Sequence, residues 1–316
     1  MLKLKDIIWE TTLKCGKHCK YCGSLEILRK ENPSKEFLLH VAREIGSYGV
    51  DVVTLSGGEP GELDFDVLIS IVDILKLYNC SVRVITNGKM LLFSENLLKH
   101  FDVIGQSINV SNDHFYRDLI PSDKIVMVTN FGSHNIWQFD DLAEIANSYK
   151  SWQIQLTTGG VYQLNAEGIT YLRKKIRELN NVKYVLADNL QDEHKCSAGI
   201  NSCGITVDGD VIPCLSERTL GGIISSQGNL KNRSLKDIWE SEFKDIRFSS
   251  KTWCNSCRNH IDYPQIKELT PTIAQIPHAR GHRQQIPKLS CQGNVMSYGV
   301  TDWNIFMSDY KNEVIK

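Results

Sequence analysis

Apolar positions along this chain alternate between two periods. Residues 6–12 (Asp-Ile-Ile-Trp-Glu-Thr-Thr) read as a strand. Phe37, Leu38, Val41, Ala42 and Ile45 then recur at helical spacing over residues 35–48, with Ser34 placed as the N-cap. The apolar run Val50 to Leu55, bounded by Gly49 and the Gly57-Gly58 pair, predicts a buried strand. A second amphipathic helix is expected over 65–78 behind Asp64, and a strand over 81–86 that ends in Asn87-Gly88. The alternation continues through helix 92–100, strands 102–110 and 124–129, helix 139–149, strand 152–158 and helix 164–179. Strands alternating with helices predict βαβ units and a parallel sheet. Six such units are too few to close an eight-stranded barrel. The expected fold is therefore α/β, a partial (βα)6 TIM-like barrel over residues 1–190. In parallel barrels the chemistry lies at the C-terminal ends of the strands. The loops after the first and second strands should meet there.

The pattern changes after about residue 190. Residues 203–214 predict a hairpin turning at Asp208-Gly209. Residues 234–247 predict a helix whose apolar face is Leu235, Ile238, Trp239, Phe243 and Ile246. These elements mark out a small second domain over 191–260. Residues 261–316 are polar, show no periodicity, and form an extension of unassigned role.

Composition narrows the class without naming a function. The chain has 316 residues, 36 Lys+Arg against 37 Asp+Glu, and a formal net charge of -1. Near neutrality gives no general pull toward nucleic acid. The most apolar stretch, Val67 to Leu75, is interrupted by Ser70 and Asp73 and falls short of the ~20 residues that span a bilayer. The first residues lack the apolar core of a signal peptide, so a cytoplasmic protein with no membrane or nucleic-acid partner is expected. Ten cysteines then change the picture. In a reducing compartment, clustered cysteines read as metal ligands or reactive groups rather than disulfides. All but Cys80 lie in two blocks about half a chain apart, which suggests two metal sites.

The first block is Cys15-Gly-Lys-His-Cys19-Lys-Tyr-Cys22, spaced C-x3-C-x2-C in the loop after the first strand. Three thiolates on a short loop suit three irons of a [4Fe–4S] cluster, with the fourth iron left open. Zinc is the alternative, with His18 as a fourth ligand. After the second strand comes Ser56-Gly57-Gly58-Glu59-Pro60. Glycines let a backbone approach a ligand closely, and Glu59 has the chemistry to accept from an ammonium. Together these segments resemble the radical SAM superfamily, with its cysteine spacing and its GGEP motif. The resemblance implies that the open iron chelates S-adenosylmethionine, with Tyr21 beside the adenine and Gly57, Gly58, Glu59 and Pro60 around the methionine amino group. It further implies that Ser107 and Asn109, two apart on one strand face, approach the ribose and carboxylate, and that Arg117 pairs with the carboxylate. Gln153 and Gln155 also share a face on the sixth strand and have no assigned role.

In the second block, Cys196-x12-Gly209-x4-Cys214 is followed, 39 residues on, by Cys254-x2-Cys257. This resembles the twitch domain, a shortened SPASM domain, and implies one auxiliary [4Fe–4S] cluster held by those four cysteines. A zinc ribbon is the alternative. Cys203 and Cys291 are left over, as further ligands, structural thiols or hydrogen-atom donors.

The resemblance implies an enzyme that reductively cleaves S-adenosylmethionine to a 5′-deoxyadenosyl radical and takes a hydrogen atom from a substrate C–H bond. The electrons would come from a flavodoxin- or ferredoxin-like donor. The expected substrate is a ribosomally made peptide, to be cross-linked, oxidised or epimerised. A dehydrogenase or epimerase of a small carbohydrate-like or aminocyclitol molecule ranks close behind, because peptide maturases often carry a recognition domain before the barrel and Cys15 comes early. A zinc-stabilised binding module without catalysis ranks third.

Overall fold

The computed structural model describes residues 3–88, 99–110, 124–157, 161–187, 190, 197–215 and 226–244. Within them, six strands and four helices run in this order: β1 (Asp6–Thr12), α1 (Lys35–Tyr48), β2 (Val52–Gly57), α2 (Phe65–Leu77), β3 (Ser81–Thr86), β4 (Val103–Ser107), β5 (Ile125–Phe131), α3 (Phe139–Ala146), β6 (Trp152–Leu156) and α4 (Ala166–Arg177). The expected helix over 92–100 falls mostly outside the described residues. Four more strands and a helix follow: β7 (Tyr184–Leu186), β8 (Ser202–Ile205), β9 (Asp210–Ile212), β10 (Gly228–Asn229) and α5 (Leu235–Ser241). All ten strands form one sheet, in the order β10-β9-β8-β1-β2-β3-β4-β5-β6-β7.

Every pairing from β8 through β1 to β7 is parallel. The ends of the sheet do not pair with each other, so the barrel is open. Two features go beyond the sequence reading. A seventh parallel strand, β7, extends the sheet at one edge. The hairpin β8–β9 turns at Asp208-Gly209 as expected, but β8 also pairs with β1, Ile7 opposite Cys203, so the hairpin prolongs the barrel sheet.

The helices cover one face of the sheet. Ile7, Trp9, Val53, Leu55, Val82 and Val84 pack against α1 and α2 in a core that also takes in Trp239 and Phe243. Met127, Phe131, Trp152 and Ile154 pack against α3 and α4 in a second cluster. The Trp152 indole donates to Thr129 Oγ1 at 2.9 Å, and Thr129 in turn donates to the Ile108 carbonyl. With these residues on the helix side, strand alternation turns Glu10, Arg83, Ser107, Asn130, Gln153 and Gln155 to the inner face.

Helix ends follow the local chemistry. Ser34 Oγ accepts from Phe37 N–H at the start of α1, and Gly49 ends that helix in the left-handed region at φ 82°. Asn165 and Ser234 cap α4 and α5 in the same way. Asp64 stands at the N-cap of α2 as expected, without a side-chain capping bond.

Candidate active site

β1 leaves the sheet at Thr12 and runs directly into the three-cysteine loop, while β2 ends in the Gly57-Gly58 pair beside it. The two exits are stapled through main chain: Gly58 N–H donates to the Thr12 carbonyl at 2.7 Å, and Glu59 N–H to the Lys14 carbonyl at 2.8 Å. A Cβ on Gly57 would lie 2.1 Å from Thr12 O, and one on Gly58 would lie 2.3 Å from Lys14 O. The glycines therefore serve an approach of one strand exit to the other, where the sequence suggested only an approach to a ligand.

Cys15, Cys19 and Cys22 are half-buried in this loop. Cys22 N–H donates to the Cys19 carbonyl at 2.9 Å, and Asn87 Nδ2 lies 3.9 Å from Cys15 Sγ. Burial pushes the Cys22 thiol up; a backbone hydrogen bond at Ser24 opposes this, and the nearby Cys19 and Cys15 sulfurs push it further up. A cationic centre would reverse that balance at Cys22 and take the thiols as thiolates. Among the described residues, no three His, Cys, Asp or Glu side chains converge on a single ion. A tetrahedral zinc needs such convergence, with donors at about 2.0–2.3 Å; an iron–sulfur cluster spreads its thiolates over separate irons. His18, the fourth ligand of the zinc alternative, is exposed.

Glu59 is enclosed where the Gly-Gly turn meets the end of β3. It has no exposed surface. Its Oε1 accepts from Thr86 Oγ1 at 2.6 Å and from Gly61 N–H at 3.0 Å, and its Oε2 accepts from Asn87 N–H at 2.6 Å. The carboxylate is thus committed to holding the end of β3 against the Gly-Gly turn, and it offers no surface to an ammonium. The Thr86-Asn87-Gly88 turn gains a role from the same bonds, placing Asn87 next to Cys15. Burial raises the Glu59 pKa despite its three donors. A folded-state value above the unfolded one means that the folded chain holds more protons, so Glu59's contribution falls as pH rises upward from the ordinary carboxylate value. Glu59→Gln replaces one acceptor oxygen with a donor and leaves one of the two N–H groups facing it. We expect a loss of about 1–3 kcal/mol, read from urea unfolding. The gap to wild type should narrow as pH rises, because the amide does not titrate.

Tyr21 meets His134, from the loop after β5, in a stacked pair with centroids 4.1 Å apart and planes at 12°. Tyr162 meets the same imidazole edge-on at 5.5 Å. Neither His134 ring nitrogen has a hydrogen-bond partner among the described residues, and burial pushes this histidine down to about 4, so it is neutral at pH 7. No sequence pattern singled out His134, which sits in an aperiodic loop. Ser107 and Asn109 share the inner face as expected. Asn109 Oδ1 accepts from Asn130 N–H at 2.7 Å, and Asn135, fully buried, donates from Nδ2 to the carbonyls of Asn109 and Asn130. Asn109 thus helps set the β4–β5 exits.

Cys203 lies away from the three-cysteine loop, in the core. It is 3% exposed, lies on β8 beside Ile7 in the helix-side core, and burial pushes its thiol far up. The thiol therefore lies on the helix side of the sheet, opposite the inner face. Cys80 is likewise buried in this core. Of the second cysteine block, Cys214 is half-buried just after β9; Cys196, Cys254 and Cys257 lie outside the described residues, as do Cys291 and Arg117. Arg29, from the segment after the first cysteine loop, forms a two-pronged pair with Asp208 at 2.8 and 2.6 Å, tying that segment to the β8–β9 turn. Among the described residues no helix is long and apolar enough to cross a membrane.

The chain is similar to known proteins. The PqqA peptide cyclase of Xanthomonas oryzae pv. oryzae is 22% identical over 307 residues, covering 82% of this chain and 81% of its own. That of Xanthomonas euvesicatoria pv. vesicatoria is 21% identical over 305 residues, with the same coverage. Among solved structures, Streptococcus suis SuiB bound to the precursor peptide SuiA superposes with a TM-score of 0.59 at 13% identity, over 80% of this chain and 69% of SuiB. The enzyme anSMEcpe with bound AdoMet gives 0.56 at 15% identity, over 77% and 82%. These likenesses show the fold. The SPASM iron–sulfur cluster-binding domain matches residues 196–259. The radical SAM superfamily matches residues 9–190, more than half of the chain, and with the cysteine loop stapled to the Gly-Gly turn at the open end of a parallel barrel, the protein belongs to that superfamily.

Proposed function

We propose that this chain modifies a ribosomally made peptide by hydrogen-atom abstraction. The observation that carries the reading is the three-thiol loop at the C-terminal end of the parallel barrel, tied to the loop after β5 by the Tyr21–His134 stack, with the amides of Asn130, Gln153 and Gln155 on the inner face of β5 and β6. The 22% identity to PqqA peptide cyclases supports the peptide over a small carbohydrate-like substrate. When bound, a [4Fe–4S] cluster and S-adenosylmethionine supply the one-electron cleavage chemistry that breaks an unactivated C–H bond.

The chain's own residues prepare the place for it. Cys15, Cys19 and Cys22 would hold three irons. Glu59, Thr86 and Asn87 brace the loop from behind. The backbone of the Gly57-Gly58 turn would receive the methionine end, with Glu59 as its support. Tyr21 and His134 would flank the adenosyl end, and Ser107 and Asn109 would line the floor. Residues 191–260 would form the auxiliary-cluster domain, with Cys196, Cys214, Cys254 and Cys257 as ligands. A flavodoxin- or ferredoxin-like protein would deliver electrons in the cytoplasm. Residues 261–316 carry no assignment.

The test is anaerobic reconstitution with iron and sulfide, followed by dithionite and S-adenosylmethionine. The expected result is iron for two clusters per chain and formation of 5′-deoxyadenosine. A fully iron-loaded protein that forms none, with or without peptide, sinks the proposal.

A further inference from the structure

Gln153, Gln155 and Thr157 occupy alternate positions at the C-terminal end of β6, opposite in parity to Trp152, Ile154 and Leu156 on the helix side. They therefore face the inside of the barrel. Their hydrogen bonds orient them. Gln155 Nε2 donates to Asn130 Oδ1 at 2.6 Å, across the strand pair where these residues lie in register. Gln153 Nε2 reaches Gln155 Oε1 at 3.5 Å. This order leaves the Asn130 amide N–H groups and the Gln153 carbonyl oxygen without partners among the described residues. Thr157, 7% exposed, has a buried hydroxyl with no partner among them. An unsatisfied buried hydroxyl is uncommon and costly, and here it stands at the top of a row of amides.

The wall is uncharged. The inner-face positions of β5 and β6 from Val126 to Thr157 carry no ionisable side chain, while Glu10 and Arg83 lie on β1 and β3. Alternate residues on a strand stand roughly 6.6 Å apart. An extended peptide repeats the main-chain N–H and C=O groups of one edge at that same interval. A neutral row of donors and acceptors at that spacing matches a peptide main chain and discriminates little between side chains.

We propose that Gln153, Gln155 and Thr157, with Asn130, form the substrate wall of the barrel and hold an extended peptide segment by its main chain. This rests on the peptide-modifying reading and specifies how the substrate is held. Accordingly, the modified segment should be extended along this wall.

The experiment uses the full-length reconstituted holoenzyme and a deuterated extract of the source organism grown in heavy water, separated into peptides and small metabolites. The readout is the share of 5′-deoxyadenosine that carries deuterium, together with the total formed. Wild type should be labelled by the peptide fraction and lose the label when that fraction is first digested with a nonspecific protease. Gln153→Leu/Gln155→Leu should lower the labelled share at least tenfold at equal iron content, and Gln155→Asn should restore part of it. A fold defect lowers iron and total product but does not shift the labelled share. Three results overturn the inference while leaving the radical chemistry intact: label from the small-metabolite fraction that survives protease, no label from either fraction, or a labelled share in the double variant within twofold of wild type. Absence of any 5′-deoxyadenosine from iron-loaded wild type removes the functional reading, and this inference with it.

Discussion

Cys15→Ala, Cys19→Ala and Cys22→Ala are each expected to strip the first site of iron and to cut 5′-deoxyadenosine formation by well over a hundredfold. Losing a residue that merely supports a metal ligand costs about 10–100-fold in metal affinity or activity. Losing a ligand itself should go further, and His18, the other metal-binding side chain in the loop, is exposed. Controls sharpen the test. Cys80→Ala and Cys203→Ala remove thiols from the helix-side core and should cost stability of about 1 kcal/mol each, the price of a small cavity, with iron and turnover near wild type. Iron content, the visible absorption of the cluster and 5′-deoxyadenosine by chromatography read all five variants. If a triad variant kept full iron and turnover, the assignment of that cysteine would be wrong. If Cys203→Ala abolished product while S-adenosylmethionine was still cleaved, the core placement of Cys203 would fail as an account of its role.

Local signals in the sequence carry much of this fold, and long-range pairings carry the rest. The first strands and helices were legible because each buries one face: Leu38, Val41, Ala42 and Ile45 recur at helical spacing, and all are buried. β7 escaped because it is a three-residue edge strand with Tyr184 and Val185 exposed, so no apolar alternation marks it. The parallel pairing of β8 with β1 joins residues about 196 apart, and no local pattern encodes it. Yet that pairing turns Cys203 into the helix-side core, a placement its chemistry alone did not indicate. The site divides the same way. The cysteine loop and the Gly-Gly-Glu-Pro turn are contiguous and were readable. The partners that set the task of Glu59 lie 27 and 28 residues further on, at Thr86 and Asn87. A motif thus indicated which residues matter; the fold showed that Glu59 braces the turn from behind. Likewise the alternation of Gln153 and Gln155 was visible, but their orientation depends on Asn130 across the sheet.

The contrast between two left-handed glycines tests whether the β1–β2 staple sets the site. Gly49 and Gly57 both have positive φ, at 82° and 119°. A Cβ on Gly49 meets nothing within 4 Å, whereas a Cβ on Gly57 would sit 2.1 Å from the Thr12 carbonyl oxygen and 3.3 Å from Glu10 Cα. Gly49→Ala therefore incurs only the backbone penalty of the left-handed cap, about 1 kcal/mol. Gly57→Ala incurs a strained backbone of about 1–3 kcal/mol and a further overpacking cost of about 1–3 kcal/mol. Its obstacle is main chain, which cannot rotate away as a side chain can. We expect Gly57→Ala to lose roughly 4 kcal/mol and on the order of 10 °C in Tm, against a few degrees for Gly49→Ala. Function should separate the two still more. To admit the methyl group, the β1 exit must move away from β2, and the hydrogen bonds of Gly58 and Glu59 to Thr12 and Lys14 break with it. Those bonds fix the start of the loop that bears Cys15. Gly57→Ala should therefore retain little iron even at temperatures where the chain is folded, while Gly49→Ala binds iron like wild type. Equal iron retention in both would mean that the staple stabilises the barrel without positioning the cluster loop.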